Sequence, residues 1–146
     1  MDNSIKKKYS RGYTSGVYDM FHIGHLNILK NAKEYCDTLI VGVTTDELCI
    51  KRKNKKPIIP FCDRCEIVKA IRYVDDVVPQ KDMNKLEMVK NLNCDVVFVG
   101  SDWKGTPSWD EYEKQFKQIN VDVVYLPHTA GISSTILRSV LKNCDK

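Results

Sequence analysis

A chain of 146 residues, 42% hydrophobic and 29% charged, is long enough to bury one core and too short for a multidomain enzyme. The composition excludes general disorder, and 23 basic against 19 acidic residues leave +4, mild for a nucleic-acid coat but suited to an anionic small molecule. No apolar run approaches the ~18 residues of a membrane span, and Met1 to Lys8 lacks a signal peptide's apolar stretch, which predicts a cytoplasmic protein.

In chain order, residues 1–8 read as a polar tail and 9–142 as one domain. A weak first strand runs from about Gly12 to Ser15, followed by helical spacing of apolar residues from Leu26 to Tyr35 and a buried strand from Thr38 to Val43. Leu48 to Pro60 reads as a long irregular stretch, in which Lys51, Arg52, Lys53, Lys55 and Lys56 form a basic loop with nothing apolar to bury. Helical spacing returns from Asp63 to Arg72, Asn84 to Leu92 and Trp109 to Ile119, alternating with strands Val74 to Val78, Val96 to Val99 and Val121 to Leu126. An apolar periodic run from Ile136 to Leu141 closes the domain. Such alternation predicts an α/β class, a doubly wound, Rossmann-like parallel sheet with helices on both faces and ligands at the carboxyl ends of its strands.

The six cysteines, at 36, 49, 62, 65, 94 and 144, are scattered through predicted helices and strands, which argues for reduced thiols. Cys62 and Cys65 have CxxC spacing. The second pair that a structural zinc site needs is absent, so they read as helix cysteines ahead of a redox or metal pair.

The segment from Gly16 to His25 follows the first strand and leads into a helix. His22 and His25, three apart at a helix start, share a face. There the unpaired amides and the positive end of the helix dipole favour anions, and Gly24 lets a phosphate approach the backbone. A zinc pair lacks a third ligand nearby beyond His128 and scattered thiols, and a purely structural pair leaves the adjacent glycines unexplained.

His22-Ile23-Gly24-His25 resembles the HxGH signature of the nucleotidylyltransferase superfamily, and Tyr18-Asp19 resembles its cytidylyltransferase branch. Two more blocks resemble that branch in the same order: Arg72 to Val78, like RYVDEV, and Gly131 to Thr135, like GISTT. Gly100 to Gly105 resembles GDDWEG of the glycerol-3-phosphate cytidylyltransferases, the nearest likeness, which covers nearly the whole chain. The resemblance implies transfer of CMP from CTP to a phosphorylated small alcohol, glycerol 3-phosphate foremost, with release of pyrophosphate. It also implies magnesium bound through the CTP phosphates, a homodimer, and no nucleic-acid partner. An adenylyltransferase using ATP, or a non-catalytic nucleotide- or RNA-binding module on the same fold, are the rival readings.

The family's roles fall on residues of this chain as follows. His22 and His25 contact the phosphate chain, and Lys53 grips the substrate phosphate beside them. Lys51, Arg52 and Lys56 stay open as alternatives to Lys53 and Lys55. Nucleotide contacts are expected at Val17, Tyr18, Gly24, Lys55, Arg72, His128, Gly131, Ile132, Ser133, Ser134 and Thr135, and acceptor contacts at Asp19, Lys53, Lys85, Asp102 and Trp103. Arg64 and Arg72 are expected on one helix, with surface ion pairing favoured for Arg64 and pairing to Asp75 a rival role for Arg72; a core-capping role is the rival for Trp103. Pro127 to Ala130 departs from the family, which has an arginine where His128 stands, and Val17 replaces a threonine; both changes bear on the acceptor.

Overall fold

Central strands that are apolar on both sides need cover on both faces, and the chain supplies it. The computed structural model describes residues 7–127 and 137–141. Strands β1 (Tyr9–Gly16), β2 (Cys36–Thr44), β3 (Asp76–Gln80), β4 (Val96–Gly100) and β5 (Asp122–Leu126) form one sheet in the order β3-β2-β1-β4-β5, every neighbouring pair parallel. The helices are α1 (Ile23–Tyr35), α2 (Asp46–Lys53), α3 (Phe61–Lys69), α4 (Lys85–Asn91) and α5 (Pro107–Gln118), with a 3-10 turn at Ser101–Trp103. This is the expected Rossmann-like α/β architecture.

Leu29 and Ala32 of α1 and Val68 of α3 pack on one face with Leu39, Val41, Val43 and Phe98. Val89 of α4 and Trp109 and Phe116 of α5 pack on the other with Tyr13, Ile40, Val97 and Val99. Each such side chain, fully buried, contributes ~1.5–3 kcal/mol. Gly42 of β2 exists for Tyr13, because a Cβ there would lie 1.9 Å from the Tyr13 hydroxyl. That hydroxyl donates to Gln80 Oε1, and Gln80 Nε2 donates to the Asp82 carbonyl, which ties the β3–α4 connection to the sheet.

Three local expectations change. The basic stretch is not all loop, since Lys51, Arg52 and Lys53 are the last turn of α2. End effects rather than apolar periodicity make this helix: Thr45 caps the Leu48 amide, Asp46 and Glu47 stand at its positive end, the basic residues at its negative end, and Asn54 closes it in the left-handed region at φ 53. β3 begins two residues later than Val74 because the Val74 amide bonds back to the Ile71 carbonyl as a turn, and the chain meets β2 only from the Asp75 amide, which donates to the Leu39 carbonyl. Arg72 falls past the end of α3 rather than on it.

From β1 the chain winds outward through β2 to β3, then returns to the other side of β1 for β4 and β5. The reversal opens a crevice between the carboxyl ends of β1 and β4, where ligands sit in such sheets.

Candidate active site

The loop that leaves β1 at this crevice is held in an unusual backbone state. Tyr18 and Met20 both adopt left-handed φ, 54 and 49, a state that costs non-glycine residues energy and recurs at functional sites. Asp19 lies between them, buried, and its carboxylate accepts the amides of Ile58 at 2.9 Å and Ile59 at 2.8 Å. The Arg138 guanidinium pairs with the same carboxylate and also reaches the Lys56 carbonyl at 3.5 Å. Burial alone would raise the Asp19 carboxyl, but Arg138 and the two amides outweigh it and hold it below the usual range. Expected as an acceptor contact, Asp19 is here a clamp joining the β1–α1 loop, the end of the basic stretch and the C-terminal helical residues.

Arg64 supports the same loop from beneath. Fully buried, it donates to the carbonyls of Val17 and Thr44 at 2.7 Å each and of Ile59 at 2.9 Å, and pairs with Asp46 at 2.6 Å. The surface pairing expected for Arg64 is thus an internal strut. Val17 enters the site through its carbonyl, and Tyr18 belongs to the core.

His22 and His25 meet as their spacing predicts. His22 is the N-cap of α1: its Nδ1 accepts the Gly24 amide at 3.0 Å, and His25 Nδ1 accepts the His22 amide at 3.2 Å. The rings stack at 3.8 Å with 22° between planes, while Tyr18 and Phe21 each lie 5.3 Å from His25. Both Nδ1 lone pairs are used, so each neutral imidazole carries its proton on Nε2. Burial first, then the neighbouring His22, pushes His25 down to about 4. At neutral pH His25 is therefore an uncharged donor of fixed tautomer. The Gly24 amide is spent on the cap, so the approach to phosphate expected there passes to the imidazoles.

Lys85, the first residue of α4, donates to Ser15 Oγ at 2.8 Å and lies 6.0 Å over the Trp109 ring. Burial, then the charge of Arg52, pushes it down to about 8. The influence of Arg52 brings the end of α2 to the same edge of the sheet, and Lys53 and Lys55 there are exposed. Asp102 and Trp103 follow β4 on the 3-10 turn at this edge; Trp103, 48% exposed, does not cap the core.

Arg72 departs from expectation most. It is exposed in the turn that precedes β3, at the amino edge of the sheet, opposite the histidines. Nor does it pair with Asp75, whose carboxylate pairs with Lys33 and accepts the Leu39 amide. The reason is geometric, since α3 runs back across the sheet and carries whatever follows it away from the crevice. His128, Gly131, Ile132, Ser133, Ser134 and Thr135 lie outside the described residues. Sequence reasoning missed Arg138, although it stands only three residues past Thr135 in the chain. It also missed the depth of Arg64, which no pattern announces.

Residues 13–140 match the family described as cytidylyltransferase-like, and the chain belongs to that family, an enzyme of the nucleotidylyltransferase class that the sheet order and the histidine pair define. It is 44% identical over 121 residues to FAD synthase of Pyrococcus horikoshii, covering 81% of this chain and 80% of that one. It is 37% identical over 126 residues to glycerol-3-phosphate cytidylyltransferase of Bacillus subtilis, covering 86% and 92%. Among solved structures, the lipopolysaccharide core biosynthesis protein of Thermoplasma volcanium superposes with a TM-score of 0.68 at 21% identity, covering 83% of this chain and 97% of that one, a likeness of fold. No helix among the described residues is long and apolar enough to cross a membrane.

Proposed function

We propose that this enzyme transfers CMP from CTP to a phosphorylated small alcohol, glycerol 3-phosphate foremost. An acceptor phosphate oxygen attacks the α-phosphorus, the bond to the β-phosphate breaks, and pyrophosphate leaves with its electron pair. Negative charge grows on the α-phosphate oxygens during that exchange, so positioned donors supply the catalysis. The observation that carries the reading is the stacked histidine pair, whose tautomers are fixed by the helix cap and which offers two Nε2–H donors with no nucleophile required. Neutral donors suit this task, because they strengthen with developing charge without first binding the ground-state triphosphate as tightly as fixed cations would.

Lys85 and the lysines at the end of α2 hold the acceptor phosphate and the outgoing pyrophosphate. Asp102 and Trp103 face the acceptor from the end of β4. We take the magnesium implied by the family resemblance to be the counter-ion of the triphosphate substrate.

A second reading, an adenylyltransferase using ATP, is favoured by one observation, the 44% identity to an FAD synthase. Against it stands the Gly100 to Gly105 stretch at the carboxyl edge, which resembles the glycerol phosphate branch. Pyrophosphate release from CTP or ATP, each with glycerol 3-phosphate or flavin mononucleotide, separates them. CTP with glycerol 3-phosphate is the expected productive pair, and turnover confined to ATP with the flavin would replace the first reading by the second.

A further inference from the structure

The first turn of α3 carries chemistry that phosphate transfer leaves unused. Cys62 and Cys65 stand three apart on this helix, so they share a face with Cβ atoms about 5–6 Å apart. Cys62 is exposed and Cys65 half-buried, whereas Cys36, Cys49 and Cys94 are buried. A disulfide needs Cβ atoms roughly 3.5–4.5 Å apart, so closing one here tightens the turn by about 1–2 Å.

That turn is held lightly at its start. Pro60 is the N-cap and contributes no side-chain cap bond, and the Phe61 amide has a long 3.3 Å bond to Asp46. Between the two cysteines in sequence stands Arg64, whose guanidinium holds the Val17 and Thr44 carbonyls at 2.7 Å. Those bonds are short and directional, so a backbone shift of about 1 Å in the turn is enough to break them. The thiol pair thus flanks the residue that supports the β1–α1 loop.

We propose that Cys62 and Cys65 form a redox-modification site, closing to an intrahelical disulfide that draws Arg64 off the Val17 carbonyl and slackens the loop leading to His22. The oxidant is a low-molecular-weight disulfide. The accessible Cys62 attacks it as thiolate, one small thiolate leaves and takes up a proton, and a mixed disulfide remains. Cys65 then gives its proton to solvent, attacks the Cys62 sulfur and expels the second small thiolate, which is protonated in turn. The protein thiols lose two electrons, and the small disulfide gains them. Burial pushes the Cys65 thiol up, which leaves the first attack to the accessible Cys62.

The full chain is incubated with oxidised glutathione at about pH 8, its cysteines are mapped by peptide mass spectrometry, and hydrogen exchange is followed at residues 17–25. A Cys62–Cys65 link is expected, with exchange in that segment accelerated at least ~10-fold, restored by dithiothreitol, and unchanged by oxidant in Cys62→Ser and Cys65→Ser. Any of three results overturns the proposal: glutathione remaining on Cys62 without internal closure, a closed link that leaves exchange unaltered, or the same acceleration in Cys62→Ser. Exchange reports on the loop with no substrate present, so failure of the transfer reading would not be mistaken for failure of this one.

Discussion

Arg64→Met keeps most of the stem's volume and removes the guanidinium, which isolates the bonds that hold the site's scaffold. The Thr44 carbonyl that it serves is buried, and a buried acceptor left without its donor costs ~1–3 kcal/mol. The Val17 carbonyl, part-buried, costs toward the lower end of that range. Asp46, 24% exposed, regains water and adds little. Together these predict a loss of about 3 kcal/mol, the lower end of what breaking a buried ion pair costs. With a urea slope of roughly 1–3 kcal/mol per molar, the unfolding midpoint falls by about 1–3 M. Equilibrium urea unfolding followed by circular dichroism measures this, with Arg64→Lys expected to fall nearly as far because a lysine cannot serve the divergent acceptors. A midpoint within about 0.3 M of wild type in Arg64→Met would refute the strut.

Other expected outcomes concern the crevice itself. His22→Ala and His25→Ala each lower turnover roughly a hundredfold or more with the fold retained by circular dichroism, as for loss of a transition-state donor; near-normal rates in either would contradict the donor role. His25 is pushed down to about 4, so the unfolded chain binds a proton the folded one refuses between about 4 and the ordinary value of 6.5. Stability is therefore full above that ordinary value and falls as pH drops through the window; His25→Phe should flatten this part of the stability profile measured by urea titration at each pH, and an unchanged slope would count against a neutral buried ring. Lys85 is pushed down to about 8, so its positive charge fades above that pH. The Michaelis constant for the acceptor should rise from about pH 8 upward in wild type and stay level in Lys85→Arg, whereas identical profiles would remove Lys85 from phosphate binding.

Much of the crevice was legible because its chemistry depends on local spacing. His22 and His25 at a helix start must share a face, and a strand ending just before them must deliver them to the carboxyl edge, which their stacking bears out. Strands rich in Val and Ile announced the sheet, and their alternation with helices announced that it is parallel and covered on both faces. The misreadings arose where tertiary geometry decides. α2 is formed by its caps and end charges, with only Leu48 and Cys49 buried, so apolar periodicity passed over it. Arg72 lies in a block resembling the family's pattern, yet the direction of α3 carries it to the amino edge. Asp19 reads as a polar loop residue fit for substrate, but its partners Ile58, Ile59 and Arg138 come from segments far away in sequence. Arg64 shows the same limit, since its helix position predicts surface and its four acceptors lie on three other segments.

The central claim is that the bond broken lies between the α- and β-phosphates and that the nucleoside monophosphate moves to an acceptor phosphate. CTP labelled with ³²P at the α position, incubated with glycerol 3-phosphate, magnesium and the protein, tests it most directly by separation of the products. The account predicts that the label appears in a CDP-alcohol that resists phosphatase, with unlabelled pyrophosphate formed in equal amount. Label recovered as free CMP or CDP, whether or not the acceptor is present, would contradict it.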